Sequence, residues 1–514
     1  VICMMTYGLN INEFSQFVLI EFMLLSLVII YFYRFNKNIF NDIKNIFFEI
    51  KSDLRNFYNV DEKVTVNNLR SKYNVLVLYD QYATHTDSVF HNLDSFKRHS
   101  KHNYQYVHAQ NVTPSIIWDH FDVIVIHYSL RVAHYGLTKK FYGQIKKFSG
   151  LKIIFMQDEY ENTNVVKSAI DNLGINIAYT CVPKKYIQKI YSKELSSKVK
   201  FFNVLTGYMT SHADLKNKNI KSIVKRKIKI SYRGNVLPFH YGDLGQEKEI
   251  IATRMKLECK KRDIDCNISS IPEDRLYGDK WLDLLLNSKA TLGTESGSNL
   301  FDFDGENKIK FAQYQLKNPN ADYQTSKLSV LGDYQEEIIM NQISSRIFEA
   351  IICKTALVLF EGSYSNILKP HRHYICLKKD FSNINDVFKK LLDDRYLQRI
   401  VDNTFNDIVK PEKYSYKNFI SSFDENLFSE MKLAMLNKKN THHNFKKNIY
   451  LKILYFFNFT PEDSPRKMPS LFISNRFLND FVNSTKKYVP EPIKLVIKKF
   501  TLIIIRRYKG KEIY

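Results

Sequence analysis

Between Tyr73 and Leu392, short apolar runs alternate with amphipathic helical stretches, and the rhythm plays through twice. Val75 to Tyr79 and Ala356 to Phe360 are apolar at successive positions, so both faces of each strand need cover. That is the pattern of a parallel sheet between helix layers. Tyr104 to His108, Val123 to His127, Leu151 to Met156, Ile175 to Cys181 and Lys200 to Val204 supply further strands to a first unit. Its clearest helix is Thr86 to His99, with Val89, Phe90, Leu93 and Phe96 inward. A second unit restarts with strands Lys227 to Tyr232, Asp265 to Ser269, Ala290 to Gly293, Ala356 to Phe360 and Tyr374 to Leu377. Helices at Leu244 to Lys261, Tyr277 to Asn287 and Asn385 to Leu392 lie between or after them. The expected fold is α/β, two Rossmann-like domains facing a cleft, with residues 73–205 in the first, 206–226 as a polar linker and 227–410 in the second.

The ends of the chain differ from this body. Phe17 to Tyr33 is nearly unbroken apolar sequence followed by Arg34 and Lys37, slightly shorter than the ~20 residues that span a bilayer. Residues 1–72 therefore read as a membrane anchor and connector, with a buried or interfacial helix as the alternative. If the segment spans, its positive flank keeps everything downstream in the cytoplasm. Residues 411–514 read as a helical, basic extension. From Lys438 onward there are 17 Lys/Arg against 5 Asp/Glu, so 12 of the 23 excess positive charges lie there. Pro492 to Arg507 mixes apolar residues with five cations, as an interfacial segment on an anionic membrane does, and a packed terminal helix with a solvated face is the competing reading. Six scattered cysteines without a C-x-x-C pair read as reduced, buried thiols.

Three constellations could carry chemistry. Arg233, Gly234 and Asn235 follow a strand, and Tyr241 to Lys248 then opens a helix. A glycine turn lets backbone N–H groups approach a phosphate, and Arg233 could neutralise a diphosphate. Thr294, Ser296, Gly297 and Ser298 form a polar nest suited to an oxyanion, with Glu295 as its one carboxylate. In the first unit His85, His127 and Gln157-Asp158-Glu159-Tyr160 stand at strand ends. An inverting group transfer needs a base for the acceptor hydroxyl, and His127 and Asp158 are the candidates. Asp302-Phe303-Asp304 has the spacing to hold a divalent metal, but it follows a polar loop rather than ending a strand.

Ile343 to Gly362, ISSRIFEAIICKTALVLFEG, is a helix capped by Ser344 or Ser345 that runs into a buried strand, with Arg346 in its first turn as a donor-binding candidate and Glu349 beside its apolar face. This stretch, GTESGSN and YRGN with YGDLGQEK resemble the nucleotide-binding domain of GT-B glycosyltransferases of the group 1 type, including bacterial surface-polysaccharide transferases. The resemblance covers roughly residues 73–410. It implies that Glu349 holds the ribose of a nucleotide sugar and that Glu295 approaches the donor sugar or its diphosphate. Family members separate two glutamates by seven residues. Here the corresponding position holds Asn341, and Phe303 to Gln342 intervenes between Glu295 and Glu349. Lys354 stands where the family has glycine after the helix.

The expectation is a glycosyltransferase that moves a sugar from a nucleotide diphosphate sugar to a glycan or polyprenyl-linked acceptor, at the cytoplasmic face of a bacterial membrane with an anionic surface. The nucleotide sugar is its substrate, with no separate cofactor and no divalent metal expected. A sugar epimerase or polyol-phosphate transferase on the same fold is the first alternative. A basic, non-enzymatic nucleic-acid-binding protein is the second, though no stacking-aromatic or arginine-rich module accompanies the charge.

Overall fold

The computed structural model describes residues 72–437, apart from 110–115, 117, 135, 211–219 and 335–336. The apolar segment at 17–33 and the basic segment at 492–507 lie outside the described residues. Among the described residues no helix is long and apolar enough to cross a membrane.

The first sheet has six parallel strands: β1 (Asn74–Tyr79), β2 (Asn103–His108), β3 (Val123–Ile126), β4 (Leu151–Phe155), β5 (Ile177–Thr180) and β6 (Lys200–Asn203), in the order β2-β1-β3-β4-β5-β6. The second has five: β7 (Ile228–Arg233), β8 (Cys266–Ser269), β9 (Ser288–Gly293), β10 (Ala356–Phe360) and β11 (Ile375–Leu377), in the order β11-β10-β9-β7-β8. Each of the eleven strands falls where the apolar runs predict one.

Alternate strand residues enter different cores, as the period of two requires. Leu76 and Leu78 pack into one cluster while Val75 and Val77 pack into another on the opposite face. In the second sheet Leu357 and Leu359 face one core, and Ala356, Val358 and Phe360 face the other. Burial on both faces is why these strands are apolar throughout.

Four helices position the site: α1 (Asp87–His99) in the first half, then α2 (Gly242–Lys261), α3 (Asp279–Asn287) and, between β9 and β10, α6 (Ser345–Ile352), preceded by the pair α4 (Glu306–Lys317) and α5 (Tyr323–Leu331). The α4–α5 pair occupies the stretch that separates Glu295 from Glu349. Its flanks cross to the other half, where Phe301, Ile338 and Met340 join the core under the first sheet. The chain crosses back once more in α7 (Tyr416–Asn437). Tyr416, Ile420, Phe423, Leu427 and Met431, at helical spacing, complete the first sheet's other core. The region read as an extension thus begins with a helix that the first sheet needs for burial.

Five cysteines lie among the described residues and all are unbridged, with Cys181, Cys259 and Cys353 buried.

Candidate functional site

In the second sheet the chain runs from β7 outward to β8 on one side and to β9 on the other, so neighbouring loops diverge above the β7–β9 gap. Open α/β sheets take their ligands at such a switch point, beyond the carboxyl ends of the strands. A cavity of about 220 Å³ lies there, lined by Arg233, Gly234, Asn235, Lys248, Trp281, Thr294, Ser296, Ser344 and Arg346 among others. Six sequence-predicted donor residues therefore meet in one place, Arg346 among them: Arg233, Gly234 and Asn235 come from the end of β7, with Thr294 and Ser296 from the end of β9. Arg346 joins them from the first turn of α6.

That helix forms as its sequence predicts. The Ser344 side chain accepts a hydrogen bond from the Arg346 N–H, and Ile347, Phe348, Ile351 and Ile352 are buried. It ends at Lys354, whose φ of 53° is the left-handed conformation that glycine adopts most readily. The Lys354 ammonium lies 4.4 Å above the Phe405 ring.

Of the pocket's cations, the sequence predicts Arg233 and Arg346 but not Lys248. Arg233 turns its guanidinium back onto the sheet edge, donating to the carbonyls of Tyr232, Asn267 and Asp274 at 2.8–2.9 Å and to Asn267 Oδ1 at 2.7 Å. Most of its donors are thus spent on protein, although the residue itself lines the cavity. Arg346 donates to the Arg233 carbonyl and lies 5.6 Å over the Trp281 ring. Lys248, on α2, supplies the second cation of the pocket. Burial and the nearby Arg346 lower its pKa, while Asp158 of the first half pulls it upward. Asn235 adds a buried side-chain oxygen that no protein group satisfies among the described residues.

Glu349 stands beside this pocket and accepts a 2.6 Å hydrogen bond from Trp281 Nε1 through Oε2. Burial raises its carboxyl pKa, opposed by the indole N–H and by Arg346.

Glu295 is a different kind of carboxylate. It is 2% exposed and fully engaged: Oε1 accepts from the Ser363 N–H at 3.0 Å, the Ser363 hydroxyl at 2.9 Å and the Tyr364 N–H at 2.6 Å, while Oε2 accepts from Asn341 Nδ2 at 2.6 Å. Gly362 must be glycine for this approach, since a Cβ there would stand 2.6 Å from Oε2. The nest itself is sewn to the returning chain. Ser296 and Gln342 exchange backbone hydrogen bonds at 2.8 Å, and Asn299 Oδ1 accepts from the Met340 N–H. Gly297, at φ 109°, passes so close to the Met340 carbonyl that a Cβ would lie 2.2 Å from it. Ser298 is buried and bonded to Leu300. Glu295, Gly297 and Ser298 therefore build the wall of the site, which corrects their assignment as groups that meet the ligand.

In the first half, His127 is fully buried. Its Nδ1 accepts from the Ser129 N–H, so Nε2 carries the proton and donates to Asn92 Oδ1 at 3.1 Å. Burial pushes its pKa down to about 3. A neutral ring with both nitrogens engaged anchors the turn after β3 and does not meet an acceptor, which corrects its assignment as a base. Asp158 is exposed at a left-handed turn (φ 56°), with Oδ1 accepting from the Tyr160 hydroxyl at 2.6 Å. Its charge acts on Lys248 of the second half. Glu159 points the other way, into the core, where Thr180 and Tyr191 donate to Oε1 and burial pushes its pKa up to about 7. His85 is exposed, its ring 5.4 Å from that of Tyr277 in the other half.

The D-x-D carboxylates serve structure as well. Asp302 accepts from the Asn307 and Lys308 N–H groups at the start of α4, and Asp304 accepts from Asn164 Nδ2.

Lys248 and Trp281 lay outside the sequence-derived site. Lys248 is the last residue of the glycine-containing stretch whose helix was assigned to phosphate, so position alone could have found it. Trp281 sits at a core-facing position of an amphipathic helix, and only tertiary structure brings its N–H to Glu349.

No family model matches the chain, and no curated protein matches it. Among solved structures it is similar to an alpha-glucosyltransferase in complex with UDP-glucose and DNA containing an abasic site, at 8% identity and a TM-score of 0.46, over 70% of this chain and 100% of that one. It is also similar to the sucrose-phosphate synthase of Thermosynechococcus elongatus, at 9% identity and a TM-score of 0.36, over 70% and 100% of the two chains. The T4 phage BGT in complex with its UDP-glucose substrate superposes at 9% identity and a TM-score of 0.38, over 69% and 98%. Likeness at this level leaves function to be argued from the site.

Proposed function

We propose that the chain is a glycosyltransferase whose second half binds a nucleotide diphosphate sugar between the ends of β7 and β9 and whose first half presents the acceptor hydroxyl. The observation that carries this reading is the switch-point cavity with two cations, Lys248 and Arg346, at one side and a carboxylate, Glu349, beside it. Two positive charges suit a diphosphate and stabilise it as it departs. A carboxylate at the pocket edge suits the paired hydroxyls of a ribose. The loop amides after β9 and the Asn235 oxygen add polar contacts.

Asp158 is the candidate base on the acceptor side, because it is an exposed carboxylate just beyond the end of β4 whose charge is felt by Lys248 of the pocket. In this reading it takes the proton from the acceptor hydroxyl as that oxygen attacks the anomeric carbon and the bond to the nucleoside diphosphate breaks. The acceptor is proposed to be a glycan or lipid-linked glycan at the cytoplasmic face of a bacterial membrane. The apolar and basic stretches at the two ends of the sequence support that placement.

The test is to heat the purified full chain with a panel of nucleotide diphosphate sugars and then follow labelled sugar from the stabilising donor into added acceptors. A transferase releases nucleoside diphosphate and labels an acceptor. Conversion of the donor sugar without an acceptor would instead identify an epimerase, and no stabilisation by any donor would contradict the reading.

A further inference from the structure

Trp281 is 8% exposed and makes two contacts that converge on the pocket. Its Nε1 donates to Glu349 Oε2 at 2.6 Å, and its ring lies beneath the Arg346 guanidinium. Among the described residues Glu349 Oε1 takes no protein hydrogen bond. A glutamate on a helix has three side-chain torsions to fix, and beside a guanidinium its carboxylate would swing toward the cation. A buried indole has only two torsions and one N–H, so it holds one oxygen in place and leaves the other for a ligand.

The helix that carries the indole is tied at its start to the other half of the molecule. The Trp281 backbone N–H donates to the Gly278 carbonyl, and the Gly278 backbone N–H donates to Asp87 Oδ2 at 2.6 Å, on the first turn of α1. The helix that carries Trp281 is therefore anchored across the cleft.

We propose that Trp281 is a positioning residue that fixes the Glu349 carboxylate for the ribose diol and so sets the preference for ribonucleotide over deoxyribonucleotide donors. The inference rests on the nucleotide-sugar reading of the pocket. A carboxylate with Oε2 restrained accepts a ribose hydroxyl through Oε1 without first being ordered by the ligand. Without the indole N–H the same carboxylate loses its orientation, and its proton affinity rises because the one hydrogen bond that favours its charged form is gone.

The experiment measures, by calorimetry on the purified full chain, the affinity of the tightest binder among UDP, GDP, ADP and CDP and of its 2′,3′-dideoxy analogue. The wild-type protein should prefer the ribonucleotide by about tenfold or more, as a hydrogen bond to a charged group implies. Trp281→Phe keeps the ring under Arg346 and removes only the N–H. It should cut the preference to about twofold while leaving the dideoxy affinity within about twofold. In a Glu349→Ala background the same substitution should leave the preference unchanged, since the two residues act as one unit. Equal weakening of both ligands, or a preference that survives Trp281→Phe, would overturn the positioning role while nucleotide binding itself stood. Binding of none of the four nucleotides by the wild-type protein would overturn the parent reading as well.

Discussion

The carboxylate of Glu295 and the side-chain amide of Asn341, 46 residues apart in sequence, meet at 2.6 Å behind the loop that ends β9. Position 341 is where the family resemblance places a glutamate. In this chain an amide stands there, and the carboxylate comes from the loop after β9. The stretch between the two positions leaves and returns as the α4–α5 pair, and the Ser296–Gln342 backbone pair closes its base. Since the other oxygen of Glu295 takes three donors from Ser363 and Tyr364, the carboxylate joins three segments of chain rather than facing a ligand.

Removing that carboxylate should be felt first in stability. Glu295→Ala strands buried donors and is expected to destabilise by about 3 kcal/mol. Asn341→Asp places two carboxylates together and should also destabilise. The exchange Glu295→Gln with Asn341→Asp restores one donor and one acceptor, so denaturant titrations should show a favourable coupling of about 1–3 kcal/mol. Additive single effects would contradict the pairing.

His127 and Asp158 should separate cleanly. His127→Ala leaves Asn92 and the Ser129 N–H unsatisfied and should cost about 2 kcal/mol or more of stability, with turnover by the folded fraction changed less than about tenfold. Asp158→Asn should leave the melting temperature nearly unchanged and lower turnover by about 10²-fold or more. The reverse pattern in paired melting and rate measurements would return the base assignment to His127.

Glu159 gives the fold a specific pH dependence. Its folded pKa, about 7, lies above the ordinary 4.5 of an exposed glutamate, so the folded chain holds this proton more tightly than the unfolded one. Its contribution is most favourable below about pH 4.5 and is lost as pH rises through 7. Glu159→Gln removes the titration. It should raise the melting temperature at pH 8 relative to wild type, with the difference shrinking toward pH 5. A difference that does not change with pH would exclude Glu159 as the titrating group.

Chelation provides a further check. With Lys248 and Arg346 proposed to take the diphosphate charge, turnover after exhaustive treatment with a chelator should stay within about twofold of the untreated value. Loss of activity that returns with a divalent cation would revive a metal-bound diphosphate.

The strands were legible because burial on both faces leaves short apolar runs that alternate with amphipathic helical stretches, as in Val123 to Ile126 and Ala356 to Phe360. Arg346 and Glu349 were legible because helix periodicity fixes which residues flank a buried face. Arg233 was not, because the path of its guanidinium depends on the Asn267 and Asp274 carbonyls of a neighbouring strand and turn. His127 reads the same in sequence whether it faces a cleft or a core, and the Asn92 and Ser129 side chains decide that. Trp281 looked like one more apolar residue in DKWLDLLLN, since its N–H finds Glu349 only when α3 and α6 pack together.

The central claim is that the two cations at the β7–β9 switch point hold a nucleoside diphosphate, and one measurement addresses it most directly. Affinities of the tightest nucleoside diphosphate and of its parent nucleoside are compared between wild type and the Lys248→Ala, Arg346→Ala double variant. The account predicts that the diphosphate weakens by about 100-fold or more while the nucleoside stays within about threefold, as loss of two charge-assisted contacts requires. An unchanged diphosphate affinity in a folded double variant would contradict it.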